Sequence, residues 1–506
     1  MKTLTTSFMA LLCAAAMAAE TSPYFAIHVV DDATGRGVPL VELKTTNDVK
    51  YYTDSAGYVA YRDPDLMGGE VYFHVASDGY LYEPEDMFKY RGVRLTPRPG
   101  EEAEIRIKRI NIAERLYRIT GQGIYRDSEL LGKPTPFTAR NGRVMGQDSV
   151  QAIPYKGKIL WLWGDTGRPE YPLGGFASTA ATSLPPSLGG MAPSVGVDLN
   201  YFVGQNGFAK EMARGLGEHL IWLDGFMVVK NPAGEEKLLA HFARLKDLGT
   251  LLEHGLCIYN DDTNTFDRDA AWDLKLTAPR GHPFKVSTND GEYFYFPDPY
   301  PQLRVRATWE AIHDPAQYEA WTPLAPGTHD VKEAPQVERD SDGKAVWKWK
   351  PNTAPVSSGE MLDLIKKGTL REDEQWNRTV DADTNEPIVL WGGGVAWNAH
   401  RKKYIMIANR GFGKPSFLGE VYYLESESPE GPWQRAKKII THAKHSFYNP
   451  VSHPFFDEEG GKIIYLEGTY TDTFTDAVPT PRYNYNQIMY RLDLGDERLW
   501  DDSQGK

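Results

Sequence analysis

Apolar and polar residues alternate along most of this chain, and Gly, Asp and Asn punctuate the alternation. A two-residue period sends successive side chains to opposite faces, the mark of a β-strand. In AIPYKGKILWLWGDT (152–166) the pattern predicts a strand, a Lys-Gly turn and a second strand, and STAATSLP follows as a third. Similar units recur downstream. One runs from HLIWLDGFMVV through EKLLAHFARL to LEHGLCIYNDDTNTF. The next holds GHPFKVSTNDGEYFYFPDPY and LRVRATW. A fourth joins LWGGGVAWNAHRKKYIMIANRGF to EVYYLESESPEGPWQRAKKII, and a fifth joins HSFYNPVSHPFFDEEGGKIIYLEGTYT to NQIMYRLDL. Each unit offers three or four strands and cannot bury its faces alone. Repeated around a centre, such units make a propeller, so the prediction for 114–500 is an all-β, five-bladed β-propeller.

Two regions depart from this rhythm. Residues 310–385 are polar and rich in Pro, Asp and Lys, with one helical piece, SSGEMLDLIKKG. A segment that long reads as an insertion across one face, where lids and walls are found. Residues 23–110 hold short strands, FAIHVVDD and VYFHVASD among them, with turns at DATGRGVP and TDSAGY. They predict a small accessory β-sandwich that carries no chemistry. Residues 1–18 read as an export signal: Lys2, an apolar stretch from Phe8 to Ala15, and the small-x-small site Ala16-Met17-Ala18. The apolar stretch is too short for a permanent span, so the expectation is a periplasmic or extracellular protein without stable membrane insertion. After cleavage Cys257 stands alone, as a buried thiol.

Composition sharpens this. With 47 Gly and 34 Pro the chain favours turns over helices, and 13 Trp with 28 Tyr make it aromatic-rich. A net charge of −13 without a sustained Lys/Arg run argues against a nucleic-acid partner. A neutral or weakly charged ligand fits better.

In a propeller, inner strands begin around a central funnel. The strand register puts Asp148, Asp224, His282, Trp397 and Asn449 there, with His453 close by. Asp165 and Glu467 lie at the ends of neighbouring second strands. The bland reading of these acids is turn capping through a side-chain oxygen. The functional one is a carboxyl pair in a pocket.

Three stretches resemble a known group: WLWGDT downstream of Asp148, SPEGPW at 428–433, and YLEGTYT at 465–471. Residues 114–500 are similar to five-bladed β-propeller glycoside hydrolases of the arabinanase/xylosidase/fructosidase type, and to a related arabinan-degrading family with a G-D-T strand end. The N-terminal segment resembles the transthyretin-like sandwich of carboxypeptidase regulatory domains, through D-x-x-T-G-R-G-V-P and T-D-S-A-G-Y. The first resemblance implies hydrolysis of a polysaccharide or oligosaccharide by paired carboxyls, with one acid in the first blade and a glutamate in a later one. Asp148 or Asp165 is then the base or nucleophile, Glu467 the general acid, and Asp224 a third acid that tunes or orients it. The family's glutamate lies mid-propeller whereas Glu467 is in the last unit, so Glu253 is a rival.

Around these acids, His282, Trp397, Arg410, Tyr448, Asn449, His453 and Tyr470 are candidate sugar contacts. Together His241, His254, His282 and His453 could ligate a metal, but no H-x-H or H-E-x-x-H spacing accompanies them. No cofactor or catalytic metal is expected, and a central structural ion is left open. Two other readings stand beside hydrolysis. A polysaccharide lyase would cluster Tyr448, His453, His282 and Arg410 against a uronate. A non-catalytic carbohydrate-binding propeller would show aromatic platforms without a carboxyl pair.

Overall fold

The computed structural model describes residues 22–137, 140–171, 177–332 and 335–500. The predicted export signal lies outside them. No helix among the described residues is long and apolar enough to cross a membrane.

Alternation dictates how the blades pack. In Lys158–Trp163, Ile159, Trp161 and Trp163 point to one side and Leu160 and Leu162 to the other, and all five are buried. The first set packs with Tyr465, Val451 and Phe456, and the second with Leu223, Ala240 and Phe242. A strand buried on both faces reads as an unbroken apolar run, which is why KILWLW has no polar face. The same logic joins Met227, Val229 and Leu239 to Phe294, Phe296 and Val305, and Ile405, Ile407 and Val421 to Phe447, Ile464 and Ile488.

Five sheets result, all meandering and antiparallel in their main strands. Blade 1 runs Gln151–Tyr155, Lys158–Trp163, Thr179–Ser183, Asn200–Tyr201. Blade 2 runs Leu220–Lys230, Glu236–Asp247, Thr250–Asn260, Thr265–Ala271. Blade 3 starts with Phe284–Thr288, Gly291–Pro297 and Pro301–Arg306, and blade 4 with Val389–Asn398, Lys403–Gly411 and Glu420–Ser426. Blade 5 runs Ser446–Ser452, Ile463–Thr471, Asn486–Asp493, and its fourth strand is Glu114–Arg118, the segment that precedes blade 1. That strand ties the end of the propeller to its beginning and closes the ring, so the fold is the five-bladed propeller its repeats predict.

The region 310–385 is less of an outlier than its polarity suggests. Glu319–Thr322 and Lys348–Pro351 extend blade 3 to five strands, and Val380–Asp381 pairs with the edge of blade 4. Between them, helix Ser358–Lys366 begins on a reciprocal cap between Ser357 and Glu360. Leu324, Val331, Ala354, Met361 and Leu364 form a small core of its own.

Strands between Phe25 and Arg109 form two four-stranded sheets around Ile27, Val29, Leu43 and Phe73. This unit is fastened to the propeller by buried polar contacts. Arg115 donates to Ser77 Oγ (2.7 Å) and the Asp78 carbonyl (2.8 Å), Tyr483 donates to the Thr53 carbonyl (2.7 Å), and Ser128 N–H donates to Asp54 (2.6 Å). Cys257 is buried and free.

Candidate active site

The G-D-T strand end explains itself once the backbone is traced. Gly146–Gln147 pairs antiparallel with Thr166–Gly167, with Gln147 opposite Thr166. One residue further along, Asp148 faces Asp165, and Gly164 N–H donates to the Asp148 carbonyl (2.9 Å). A Cβ on Gly164 would lie 2.5 Å from Asp148 Oδ1, closer than any real contact. Glycine is needed there so that the two aspartates can sit side by side.

The two differ in accessibility. Asp148 Oδ2 accepts the Tyr448 hydroxyl (2.7 Å), and Tyr485 reaches the same carboxylate, while Oδ1 is buried without a protein partner. Burial raises the pKa of Asp148, and the tyrosine hydroxyls oppose the rise. Asp165 is half-buried, and among the described residues its carboxyl accepts no hydrogen bond. Burial first, and the charge of Asp148 second, push its pKa up to about 7.

A second pair comes from blades 2 and 3. Asp224 sits at the bulge of the inner strand Leu220–Lys230. Its Oδ1 accepts from Gln151 Nε2 (2.8 Å), Gly225 N–H (2.9 Å) and Gly281 N–H (2.9 Å). Burial and the neighbouring Asp298 push it to about 7, against the pull of Arg280 and the amides. Asp298 follows the second strand of blade 3, as Asp165 follows that of blade 1. It opens onto solvent, yet the surrounding protein raises its pKa, with Arg280 opposing.

These four carboxyls line one cavity of about 490 Å³ at the centre of the propeller face. His282 lines it too, donating through Nε2 to the Val150 carbonyl (2.7 Å), and burial pushes its pKa down to about 4. It is therefore a neutral strut between blades 3 and 1. Asn449 lines the cavity and holds Ser149 Oγ (2.8 Å). Ser149, Asn449 and Tyr485 all have left-handed backbone, with φ of 51°, 48° and 59°. Each costs about 1–3 kcal/mol, a strain that concentrates at functional sites.

Trp222 and Trp391, 39% and 50% exposed, stand at the rim. From Trp391 a chain of rings continues through Phe412 (5.9 Å between centroids), Phe417 (5.0 Å) and Phe474 (6.4 Å) to Tyr448 (6.1 Å). Tryptophans flanking a polar cavity offer flat apolar faces to a sugar ring.

Several expected residues lie elsewhere. Glu467 does not line the cavity: it is fully buried in the blade 5 core, where His453 Nε2 meets it at 2.6 Å. The residue of that strand that reaches the Asp148 turn is Thr469, which accepts Ser149 N–H. Two strand residues, roughly 7 Å, separate Thr469 from Glu467. Glu253 is on the third strand of blade 2 and pairs with Arg244 (3.0 Å) and Arg268 (2.7 Å), away from the cavity. Trp397 occupies the far end of the strand that begins near Trp391, roughly 20 Å along. Arg410 reaches Glu420 (3.8 Å), and Tyr470 bonds Thr480 and stacks on His445. His241 and His254 are buried against Tyr318 and the Asp273 carbonyl. The lyase constellation of Tyr448, His453, His282 and Arg410 thus does not assemble. Among the described residues, no three His, Cys, Asp or Glu side chains converge to hold a metal ion.

Asp298, Arg280, Trp391 and the phenylalanines were not among the expected residues. A signal for Asp298 exists: FPDPY places an aspartate just past a second strand, as WGDT does.

The class defined here is a five-bladed β-propeller with a carboxylate-lined central cavity. No family model and no curated protein matches the sequence. Among solved structures, the chain is similar to the GH43_1 enzyme from Xanthomonas citri complexed with xylotriose (12% identity, 69% of this chain and 86% of that one, TM-score 0.34). It is similar to an exo-β-1,3-galactanase from Phanerochaete chrysosporium (10%, 75% and 65%, TM-score 0.35). A third is CoXyl43, a β-xylosidase/α-arabinofuranosidase from a compost microbial metagenome, in a calcium-free form (14%, 70% and 92%, TM-score 0.32). Likenesses this loose carry no argument, and the propeller stands on its own five sheets.

Proposed function

We propose that this chain is an exported glycoside hydrolase that cleaves a polysaccharide or oligosaccharide in the central cavity. The observation that carries the reading is the meeting of two aspartate pairs, Asp148–Asp165 and Asp224–Asp298, in one cavity rimmed by exposed tryptophans. Glycoside hydrolysis needs a protonated acid at the leaving oxygen and a carboxylate that acts as base or nucleophile. In each pair one carboxyl keeps its proton near neutrality, first because it is buried and second because a like charge lies beside it.

Asp165 is the general acid. It holds a proton below about pH 7, and among the described residues its carboxyl accepts no hydrogen bond. Asp148 lies beneath it as a fixed charge, its oxygens taken by tyrosines or buried. The Asp224–Asp298 pair, with Arg280 alongside, supplies the carboxylate. Trp222 and Trp391 hold the sugar chain across the opening. Residues 1–18 direct export, which N-terminal sequencing of the mature protein would test by a start near Ala19.

The deciding experiment is incubation of the purified protein with neutral and uronate-containing polysaccharides, read by reducing ends and by absorbance of unsaturated uronates. Reducing ends without that absorbance are expected. Unsaturated products would overturn hydrolysis in favour of elimination, and binding without product would overturn catalysis.

A further inference from the structure

A second cavity, of about 600 Å³, adjoins the first and shares Arg280 and Asp298 with it. One wall is blade 3 and the loop before it; the other is the segment 310–385, through His329, Val331, Lys332 and Pro355. The insertion therefore lengthens the proposed active site instead of merely covering it.

The charges around this cavity are unevenly used. Glu360 accepts Ser357 N–H (2.9 Å) and Oγ (2.7 Å) in the cap of its own helix. Asp330 accepts Lys332 N–H (2.8 Å). Asp298 lies beside Arg280. Lys275 and Lys332 line the same cavity, and among the described residues neither has a carboxylate partner; nor does Arg280 within ion-pair distance. In a chain of net charge −13, one cavity thus gathers two lysines without an ion-pair partner and an arginine that faces the Asp224–Asp298 pair. Charges on the distant surface are screened within about 10 Å, so the field a ligand meets is set by the groups of the cavity itself, Lys275, Arg280 and Lys332 beside Asp298, Asp330 and Glu360.

We propose that this cavity is a subsite for an acidic residue of the glycan, a uronate carboxylate or a sulfate ester, held by Arg280, Lys275 and Lys332. The proposal rests on the reading of the central cavity as a glycan site, and it names the substrate class. Arg280, at the junction, presents its guanidinium to the acidic group while its charge steadies the Asp224–Asp298 pair. The two lysines act from the outer wall as point charges. A charged residue next to the cleaved unit would fix the register of the chain in the cleft.

The test is calorimetric binding of oligogalacturonates, oligoglucuronates, sulfated galacto-oligosaccharides and their neutral counterparts to the full-length protein, at low and at physiological salt. One acidic class should bind about ten-fold tighter than its neutral counterpart, a difference of about 1.4 kcal/mol. The preference should shrink as salt rises. The Lys275→Ala/Lys332→Ala double variant, altered only at exposed positions, should keep its melting temperature and lose the preference; Lys332→Glu should invert it. The uronate and sulfate arms identify the acidic group. Equal binding of acidic and neutral ligands, or a preference that survives in the double variant, overturns the proposal. Reducing ends released from a neutral glycan with no acidic preference would sink this inference and leave hydrolysis standing. Acidic preference without release from any glycan would do the reverse.

Discussion

Asp165 and Glu467 look alike in the sequence and differ in the fold. Each ends or lies within the second strand of its blade, among aromatic residues, and each has a titratable neighbour: Asp148 for the first, His453 for the second. Glu467 is sealed in the core, where a charge is tolerated only with a close partner, and His453 at 2.6 Å is that partner. Asp165 faces a cavity, and its neighbour carries the same sign of charge. One arrangement gives one oxygen of an acid a histidine partner and closes the site to solvent. The other leaves a proton available. Burial alone does not mark a catalytic acid; burial beside a like charge, with an open side, does.

Four tests sharpen that contrast. The largest effect is expected from Asp224→Asn, which removes one carboxyl of the second pair while keeping its shape. It should lower kcat/KM by roughly 10²–10⁴-fold, with the melting temperature unchanged or higher. Gly164→Ala forces Asp148 away from a Cβ that would lie 2.5 Å from Oδ1. Displacement of this kind should cost about 10²-fold in activity, and a variant with normal kinetics would contradict the packing argument. Glu467→Ala should instead unfold the protein more easily, by about 3–5 kcal/mol in denaturant titration, since it strands His453 in the core.

The fourth concerns pH. The pKa of Asp165 is raised, so the folded protein binds its proton more tightly than the unfolded chain does. Its contribution to stability therefore falls as pH rises from the ordinary carboxylate range through about 7. Asp165→Asn removes that loss, and the variant should melt higher than the parent at pH 8 and nearly equal to it below pH 4. With Asp165 as the proposed acid, the expected pH profile of kcat/KM has an alkaline limb near pH 7. Asp148→Asn removes the charge that helps hold the Asp165 proton, so that limb should move to lower pH, the smallest of these effects.

The propeller was legible because each blade is a local meander whose alternation is written in consecutive residues. KILWLW and its counterparts announce strands buried on both faces. The ring closure by Glu114–Arg118 was not legible, since nothing local tells a strand that its partner lies at the other end of the chain. For the site, Asp148, Asp165, Asp224, His282 and Asn449 were readable as residues at inner strand starts or strand ends, and they line one cavity. Glu467 and Trp397 were misplaced by register: bulges at Tyr448/Val451 and Leu390/Gly393 shift which residue of each strand reaches the centre. Arg280 escaped because it lies outside any strand, where no periodicity betrays direction, whereas Asp298 carries the signal that marks Asp165, an aspartate just past a second strand.

The proposed hydrolysis turns on Asp165 as the acid. The direct measurement is kcat/KM of Asp165→Asn and of Glu467→Gln, side by side with the parent, on whichever glycan the parent hydrolyses. Asp165→Asn should lose roughly 10²–10⁴-fold while Glu467→Gln, corrected for folded fraction, stays within a few-fold of the parent. Full activity in Asp165→Asn, or a collapse confined to Glu467→Gln, would contradict it.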